Sequence, residues 1–241
     1  MRTPAKSATN PANPIAKVAH DPASSGQKYL GGGRRPGAAP PTTGDDMKQP
    51  LGVILAGGQA TRMGGGDKGF LQLGDHTILS HVIDRLDPQC AALALNANGD
   101  PARLKDYNLP VIPDSLPDFP GPLCGVLAGL DWAATQDATH IITAAADTPF
   151  LPCDLVPYLQ MASENSPSGM ALAASPSGRQ PTFGIWPVAL RDDLRAALQS
   201  GLRKVVQWTS QHNAATAEFP DDAAFFNVNT PDDLITARGM L

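Results

Sequence analysis

The sequence predicts an α/β domain over residues 49–241, a three-layer, doubly wound and mostly parallel sheet. Three observations point to it. From Leu51 onward short apolar runs alternate with amphipathic stretches of helical length, the pattern of parallel βαβ units. The first run ends in Gly57-Gly58, as a buried strand leading into a ligand loop does. A chain of 241 residues, 42% of them hydrophobic, can bury a core that needs no disulfide or metal staple.

Residues 51–56 form a continuous apolar run and predict a buried strand. Ile78, Leu79, Val82, Ile83 and Leu86 recur at helical spacing, and Asp87-Pro88 stops that helix. Residues 91–96 predict a second strand, closed by the turn Asn98-Gly99-Asp100-Pro101, and residues 110–114 a short third. Residues 123–134 read as a helix and 140–146 as a fourth strand ending at Asp147. Asp154 is placed to cap a helix through Ala162. Residues 169–174 and 182–186 predict strands, and residues 188–199 and 202–209 helices. Thr230 is placed to cap a last helix towards Arg238. In such sheets ligands collect outside the carboxyl ends of the strands. That selects the loop after Ala56, residues 96–98, Asp114 and Asp147.

Residues 1–48 differ from the rest. They are rich in Pro, Gly, Ala and Ser and nearly empty of large apolar side chains, so burial cannot offset their ordering entropy and disorder is expected. They carry +4 against −9 for the remainder, which together make the chain's −5. So thin a positive charge favours a solvated extension over nucleic-acid binding. A second reading starts translation at Met47, directly before the first strand. No apolar stretch spans a membrane and no signal-peptide core opens the chain, so the cytoplasm is the expected compartment. Cys90, Cys124 and Cys153 lack CxxC spacing and read as small core residues under reducing conditions.

The chemistry gathers in residues 55–69, Leu-Ala-Gly-Gly-Gln-Ala-Thr-Arg-Met-Gly-Gly-Gly-Asp-Lys-Gly. Six glycines in these fifteen residues let the backbone turn its N–H groups towards a polyanion. Arg62 adds a forked donor and Lys68 a point charge. Asp67 precedes Lys68 and no Ser or Thr follows it, so this is not a Walker A loop. Gly64, Gly66 and Gly69 match GxGxxG, but several residues past the strand's end, which weakens a dinucleotide reading. By residue type alone Asp147 is as much a turn former or helix cap as a ligand, and Asn98-Gly99 a plain turn. Asn227 and Asn229 alternate with Val228 and point to one face of an extended segment.

The run Leu-Ala-Gly-Gly-x-x-x-Arg-Met-Gly-Gly-x-Asp-Lys resembles the nucleotidyltransferase signature, and its Asp67-Lys68 ending resembles the molybdenum cofactor guanylyltransferases in particular. The likeness continues through Asn96-Ala97-Asn98, Asp114-Ser115, Pro120-Gly121-Pro122-Leu123-Cys124-Gly125 and Asp147-Thr148-Pro149. It runs on through Gln180-Pro181-Thr182 to Asn227-Val228-Asn229-Thr230-Pro231. Gln59 departs from it, standing where many relatives carry Lys or Arg. The resemblance implies a nucleotide-diphospho-sugar transferase-like, Rossmann-like fold. It also implies transfer of GMP from GTP to Mo-molybdopterin, with the GTP site in the N-terminal half and the acceptor site in the C-terminal half.

In that reading Arg62, Lys68 and Asp147 are catalytic, and Asp147 holds Mg²⁺. Leu55, Ala56, Gly57, Gly58, Lys68, Asn96, Asp114 and Asp147 bind GTP, and Asn227 and Asn229 bind molybdopterin. The implied partners extend to molybdenum-insertion proteins and molybdoenzyme chaperones, with no nucleic acid and no membrane. Three alternatives stay open on the residues themselves. They are a related transferase using CTP or another phosphate acceptor, a non-catalytic nucleotide carrier, and an NAD-dependent oxidoreductase.

Overall fold

The computed structural model describes residues 49–57, 68–116 and 121–241. The expectations for residues 1–48, Gly58 and Arg62 lie outside them. In chain order the elements begin with β1 (Leu51–Leu55), a small hairpin of β2 (Gln72–Leu73) and β3 (His76–Thr77), and α1 (Ile78–Leu86). Then come β4 (Leu93–Asn96), β5 (Val111–Ile112), α2 (Pro122–Ala134), β6 (His140–Ala145) and α3 (Leu155–Ser163). The remainder comprises β7 (Ala171–Ser175), β8 (Gly178–Pro187), α4 (Arg191–Gln199), α5 (Val205–Gln211), β9 (Ala215–Glu218) and α6 (Pro231–Arg238).

Seven strands form one sheet in the order β5-β4-β1-β6-β8-β7-β9. Only β8 runs against its neighbours, so the sheet is mostly parallel, as the alternation of elements predicts. Successive side chains of β1 serve opposite faces. Val53 belongs to the buried cluster that includes Leu127 of α2, Trp186 of β8 and Trp208 of α5, while Ile54 belongs to the one that includes Val82 of α1 and Leu159 of α3. Both faces of the sheet are therefore covered, which gives the three layers. Each large apolar side chain buried here contributes about 1.5–3 kcal/mol. The two fully buried indoles keep their N–H groups satisfied: Trp186 donates to Thr143 at 2.8 Å and Trp208 to Asp193 at 2.9 Å.

Helix α1 follows its spacing closely, with Ile78, Leu79, Val82 and Leu86 buried and the Thr77 hydroxyl accepting from the Ser80 N–H. Its end at Asp87 passes into a 3-10 turn, Asp87–Gln89, with Pro88 inside it. At α6 the Thr230 cap is complete: its hydroxyl accepts from the Asp233 N–H, and the Asp233 carboxylate accepts from the Thr230 N–H.

Several expectations are corrected. Asp154 occupies the position before α3, but its side chain makes no capping bond. The predicted helix over 188–199 opens as a 3-10 turn, Val188–Leu190, and the next helix starts at Val205. Cys90 and Cys124 are buried, the Cys90 thiol pushed up to about 12 by burial and then by the Asp87 carboxylate, whereas Cys153 is exposed. β8 is twice the expected length because Gly178, at φ 122, turns the chain straight back from β7. Its ladder with β7 jumps from the pair Leu172–Gly184 to the pair Ala173–Gln180, so residues 181–183 bulge out where Pro181 has no N–H to give.

Candidate active site

Register sets the site. Leu55 stands opposite Asn96 on one side and Ala145 on the other, and Asn96 stands opposite Ile112. The carboxyl ends of β5, β4, β1 and β6 therefore lie at one level. Hydrogen bonds run past these ends: the Ala56 N–H donates to the Asn96 carbonyl at 2.8 Å, Ala97 to Ile112 at 3.1 Å, and Ala146 to Leu55 at 3.2 Å. The next residues, Gly57, Asn98, Asp114 and Asp147, are thus held on firm stubs in two groups, one on each side of β1.

The first group is Asn96, Asn98 and Asp114. Asn96 is buried, and its amide donates to Asp114 Oδ1 at 2.9 Å and to the Ile112 carbonyl at 3.2 Å. Asn98 donates to Asp114 Oδ2 at 2.7 Å and accepts from the Asp114 N–H at 3.0 Å. Helix α2 closes on this group at Gly125, where a Cβ would stand 2.2 Å from Asn96 Oδ1 and 2.8 Å from Leu55 Cδ2. Only glycine permits that approach. At Gly57, by contrast, a Cβ would meet Asn96 Oδ1 at 3.7 Å and Asn98 Nδ2 at 3.8 Å, ordinary contacts. Burial first, then the Asp114 carboxylate, push the Cys124 thiol up, with the Arg203 guanidinium opposing.

The second group is Lys68, Asp147, Thr148, Asn227 and Asn229. Lys68 opens a 3-10 turn, Lys68–Phe70, whose Phe70 ring stacks on Tyr107 at 6.1 Å. The Tyr107 hydroxyl is in turn 2.9 Å from that of Thr77. The ammonium of Lys68 donates to Asn229 Oδ1 at 2.6 Å. Burial raises the Asp147 carboxyl above its ordinary value; the Lys68 charge and hydrogen bonds from its own backbone and Thr148 oppose that rise. The Thr148 hydroxyl donates to Asn227 Oδ1, and the Val228 N–H donates to the Asp147 carbonyl at 2.9 Å. Val228 is buried while Asn227 and Asn229 are exposed, the alternation the sequence predicts.

The structure thus gathers Asn96 and Asp114 in one group and Lys68, Asp147, Asn227 and Asn229 in the other, with Leu55, Ala56 and Gly57 at the strand end between them. Asn229, from the C-terminal end of the chain, meets Lys68 of the N-terminal half directly, and Asn227 meets Thr148 just after β6. Asn98 and Thr148 are missed as site residues by residue type. The repeat Asn96-x-Asn98 and the step Asp147-Thr148 were the available signals. Arg179 pairs across from Ala174 and is exposed. Among the described residues no three metal-ligating side chains cluster; the second group holds the Asp147 carboxylate, and behind it Asp233 accepts from the Asn229 N–H at 2.9 Å. A recess lined by Pro50, Ala91, Asp137 and His140 lies at the amino ends of the strands, away from both groups.

The MobA-like NTP transferase domain matches residues 52–215. The molybdenum cofactor guanylyltransferase of Rhodopseudomonas palustris (strain HaA2) is 50% identical over 213 residues, covering 86% of this chain and 96% of that protein. That of Bradyrhizobium sp. (strain ORS 278) is 51% identical over 192 residues, covering 78% and 91%. Among solved structures, molybdopterin-guanine dinucleotide biosynthesis protein A from Archaeoglobus fulgidus superposes with a TM-score of 0.62 at 22% identity, covering 79% of this chain and 97% of that one. The 4-diphosphocytidyl-2C-methyl-D-erythritol synthase of Anaerococcus prevotii gives 0.63 at 14% identity, covering 81% and 96%. At such identities these two structures speak for the fold. No helix among the described residues is long and apolar enough to cross a membrane. With half its residues shared along nearly the full length of these relatives, the chain belongs to the MobA-like NTP transferases and, among them, to the molybdenum cofactor guanylyltransferases.

Proposed function

We infer that the chain transfers GMP from GTP to Mo-molybdopterin, forming molybdopterin guanine dinucleotide and pyrophosphate. One observation carries the reading: Lys68 and Asp147 stand together at the carboxyl end of a parallel sheet, in a chain half identical to guanylyltransferases.

In the reaction a phosphate oxygen of the acceptor bonds to the α-phosphorus of GTP. The bond from that phosphorus to the α,β-bridging oxygen breaks, and its electron pair leaves with pyrophosphate. The attacking phosphate is already ionised, so no general base is needed. Among the described residues neither group contains a histidine. With one N–H on Asn229, the Lys68 ammonium has two more to offer phosphate oxygens. Arg62, in the glycine-rich sequence after Gly57 and outside the described residues, is the second proposed phosphate cation, and Leu55, Ala56, Gly57 and Gly58 are the proposed backbone contacts to the triphosphate. Asn96 and Asp114 form the base side, where a carboxylate can accept from guanine N1–H and N2–H₂. Asn227 and Asn229 offer uncharged contacts to the acceptor.

The residues present fit Mg²⁺. Asp147 supplies a carboxylate whose charge is disfavoured by burial and would be stabilised by a cation. Mg²⁺ takes one or two carboxylates and fills its other positions with phosphate oxygens and water. Bound there it would neutralise charge on the α- and β-phosphates. Two buried thiols suit a reducing compartment, the cytoplasm, where molybdenum-insertion proteins and molybdoenzyme chaperones are the proposed neighbours.

The test is pyrophosphate release with GTP, CTP and ATP in turn, with Mo-molybdopterin as acceptor. Release with GTP is the expected result. A preference for CTP overturns the nucleotide assignment, and turnover only with a different phosphate acceptor overturns the other half.

A further inference from the structure

We propose that Asp131 is a positioning residue for the base side of the site, acting through Ser115 on Asp114; this rests on the reading that Asp114 faces the base of GTP. Asp114 follows β5, a strand of two residues at the sheet's edge that pairs only with β4. Two ladder pairs are a weak anchor for a side chain that must hold its place against a ligand.

The missing restraint comes from the helix layer. The Ser115 hydroxyl donates to Asp131 Oδ2, and Asp131 lies on α2. Arg195 of α4 donates to both oxygens of the same carboxylate, at 2.6 and 2.8 Å, and Arg191 Nε stands 3.8 Å from Oδ1. The chain of contacts thus runs from α4 through α2 to the residue next to Asp114, whose carboxylate and N–H then engage Asn96 and Asn98.

Asp131 and Arg195 are both partly exposed, and such a pair contributes little to folding. Its value lies in direction. The doubly held carboxylate fixes where Ser115 must be, and a residue fixed at Ser115 leaves its neighbour Asp114 little freedom to swing. Arg195 belongs to the C-terminal half of the chain and Asp114 to the N-terminal half, so the network also ties the two halves together on the base side.

The experiment uses the full chain and measures GTP binding, steady-state kinetics and thermal unfolding for Asp131→Ala, Ser115→Ala, the double variant and Asp131→Asn. Both alanine variants are expected to raise KM for GTP about tenfold and to narrow the preference for GTP over ATP. Their kcat stays within about twofold and their unfolding midpoints stay near wild type. The double variant is no worse than either single one, because one path is cut twice. Asp131→Asn keeps an oxygen for Ser115 and restores most of the loss. Wild-type KM and nucleotide preference in both alanine variants overturn the inference, as does a double variant whose defect is the product of the two. Wild-type protein that binds no GTP overturns the underlying reading, a result distinct from intact binding with unaffected variants.

Discussion

Lys68 and Asn229 stand 161 positions apart in sequence and 2.6 Å apart in space, the ammonium of one donating to the amide oxygen of the other. The contact joins the strand-end cluster formed early in the chain to the segment that leads into α6. It holds the lysine beside Asp147, so in the proposed role little reorganisation would be left for the reaction.

Replacing Lys68 by alanine is therefore expected to lower kcat/KM by about 10²- to 10³-fold, the usual cost of losing a preorganised charge donor. Asn229→Ala costs less, and the double variant falls short of the product of the two because they act together. Pyrophosphate release over this cycle measures the coupling; strict multiplicativity would show that the pair is incidental.

Two glycines near β1 separate folding from binding. Gly125→Ala places a methyl 2.2 Å from Asn96 Oδ1 and 2.8 Å from Leu55 Cδ2, and overpacking of this kind costs about 1–3 kcal/mol. Among the described residues Gly57→Ala meets nothing closer than 3.7 Å, so stability is expected to be retained while the methyl occupies space beside Asn96 and Asn98 proposed for GTP. Urea unfolding is expected to find only the first, and the KM for GTP to register the second. Equal unfolding midpoints would contradict the packing at Gly125.

Asp147→Asn keeps the shape of a half-buried carboxylate and removes a charge that burial disfavours. Turnover is expected to collapse by at least about 10²-fold while the unfolding midpoint holds or rises. Added Mg²⁺ is expected to support the wild type and to restore nothing in this variant. A variant as active as the wild type would remove Asp147 from the metal site.

The start of α6 is sensitive to acid. The Asn229 N–H, and after it Thr230, hold the Asp233 carboxyl below its ordinary value of 3.8, with a further pull from Lys68. A carboxyl that binds its proton less tightly when folded stabilises fully above the ordinary value, and that stabilisation is lost as pH falls through the folded one. Asp233→Ala is therefore expected to melt earlier than wild type at neutral pH, with the gap closing below about pH 3.8. A gap that does not change with pH would assign the loss to packing instead.

The central strands were legible because they are buried on both faces and read as unbroken apolar runs; β1 and β6 are the clearest cases. β9 was not legible, since Ala-Thr-Ala-Glu is short, partly polar and defined by pairing with β7 rather than by its own pattern. The hairpin of β2 and β3 is two residues a side and leaves no periodicity to find. At the site, strand ends announced Asn96, Asp114 and Asp147, because position in a parallel sheet is itself a functional signal. Asn98 was hidden by chemistry: asparagine before glycine looks like a turn former whether or not its amide holds a neighbouring carboxylate. The bond between Lys68 and Asn229 lies beyond any local reading, since only the completed sheet brings the two segments together.

The common level of Leu55, Asn96, Ile112 and Ala145 bears on how such a chain tolerates changes in length. Side chains alternate along a strand, so adding or deleting one residue inside β4 would turn Asn96 to the other face, and a similar error in β6 would displace Asp147. The turn between β7 and β8 carries no such penalty, because it lies outside this alignment. Insertions and deletions are therefore filtered by place: the outer loops can lengthen or shorten, while four strands must keep their residue count.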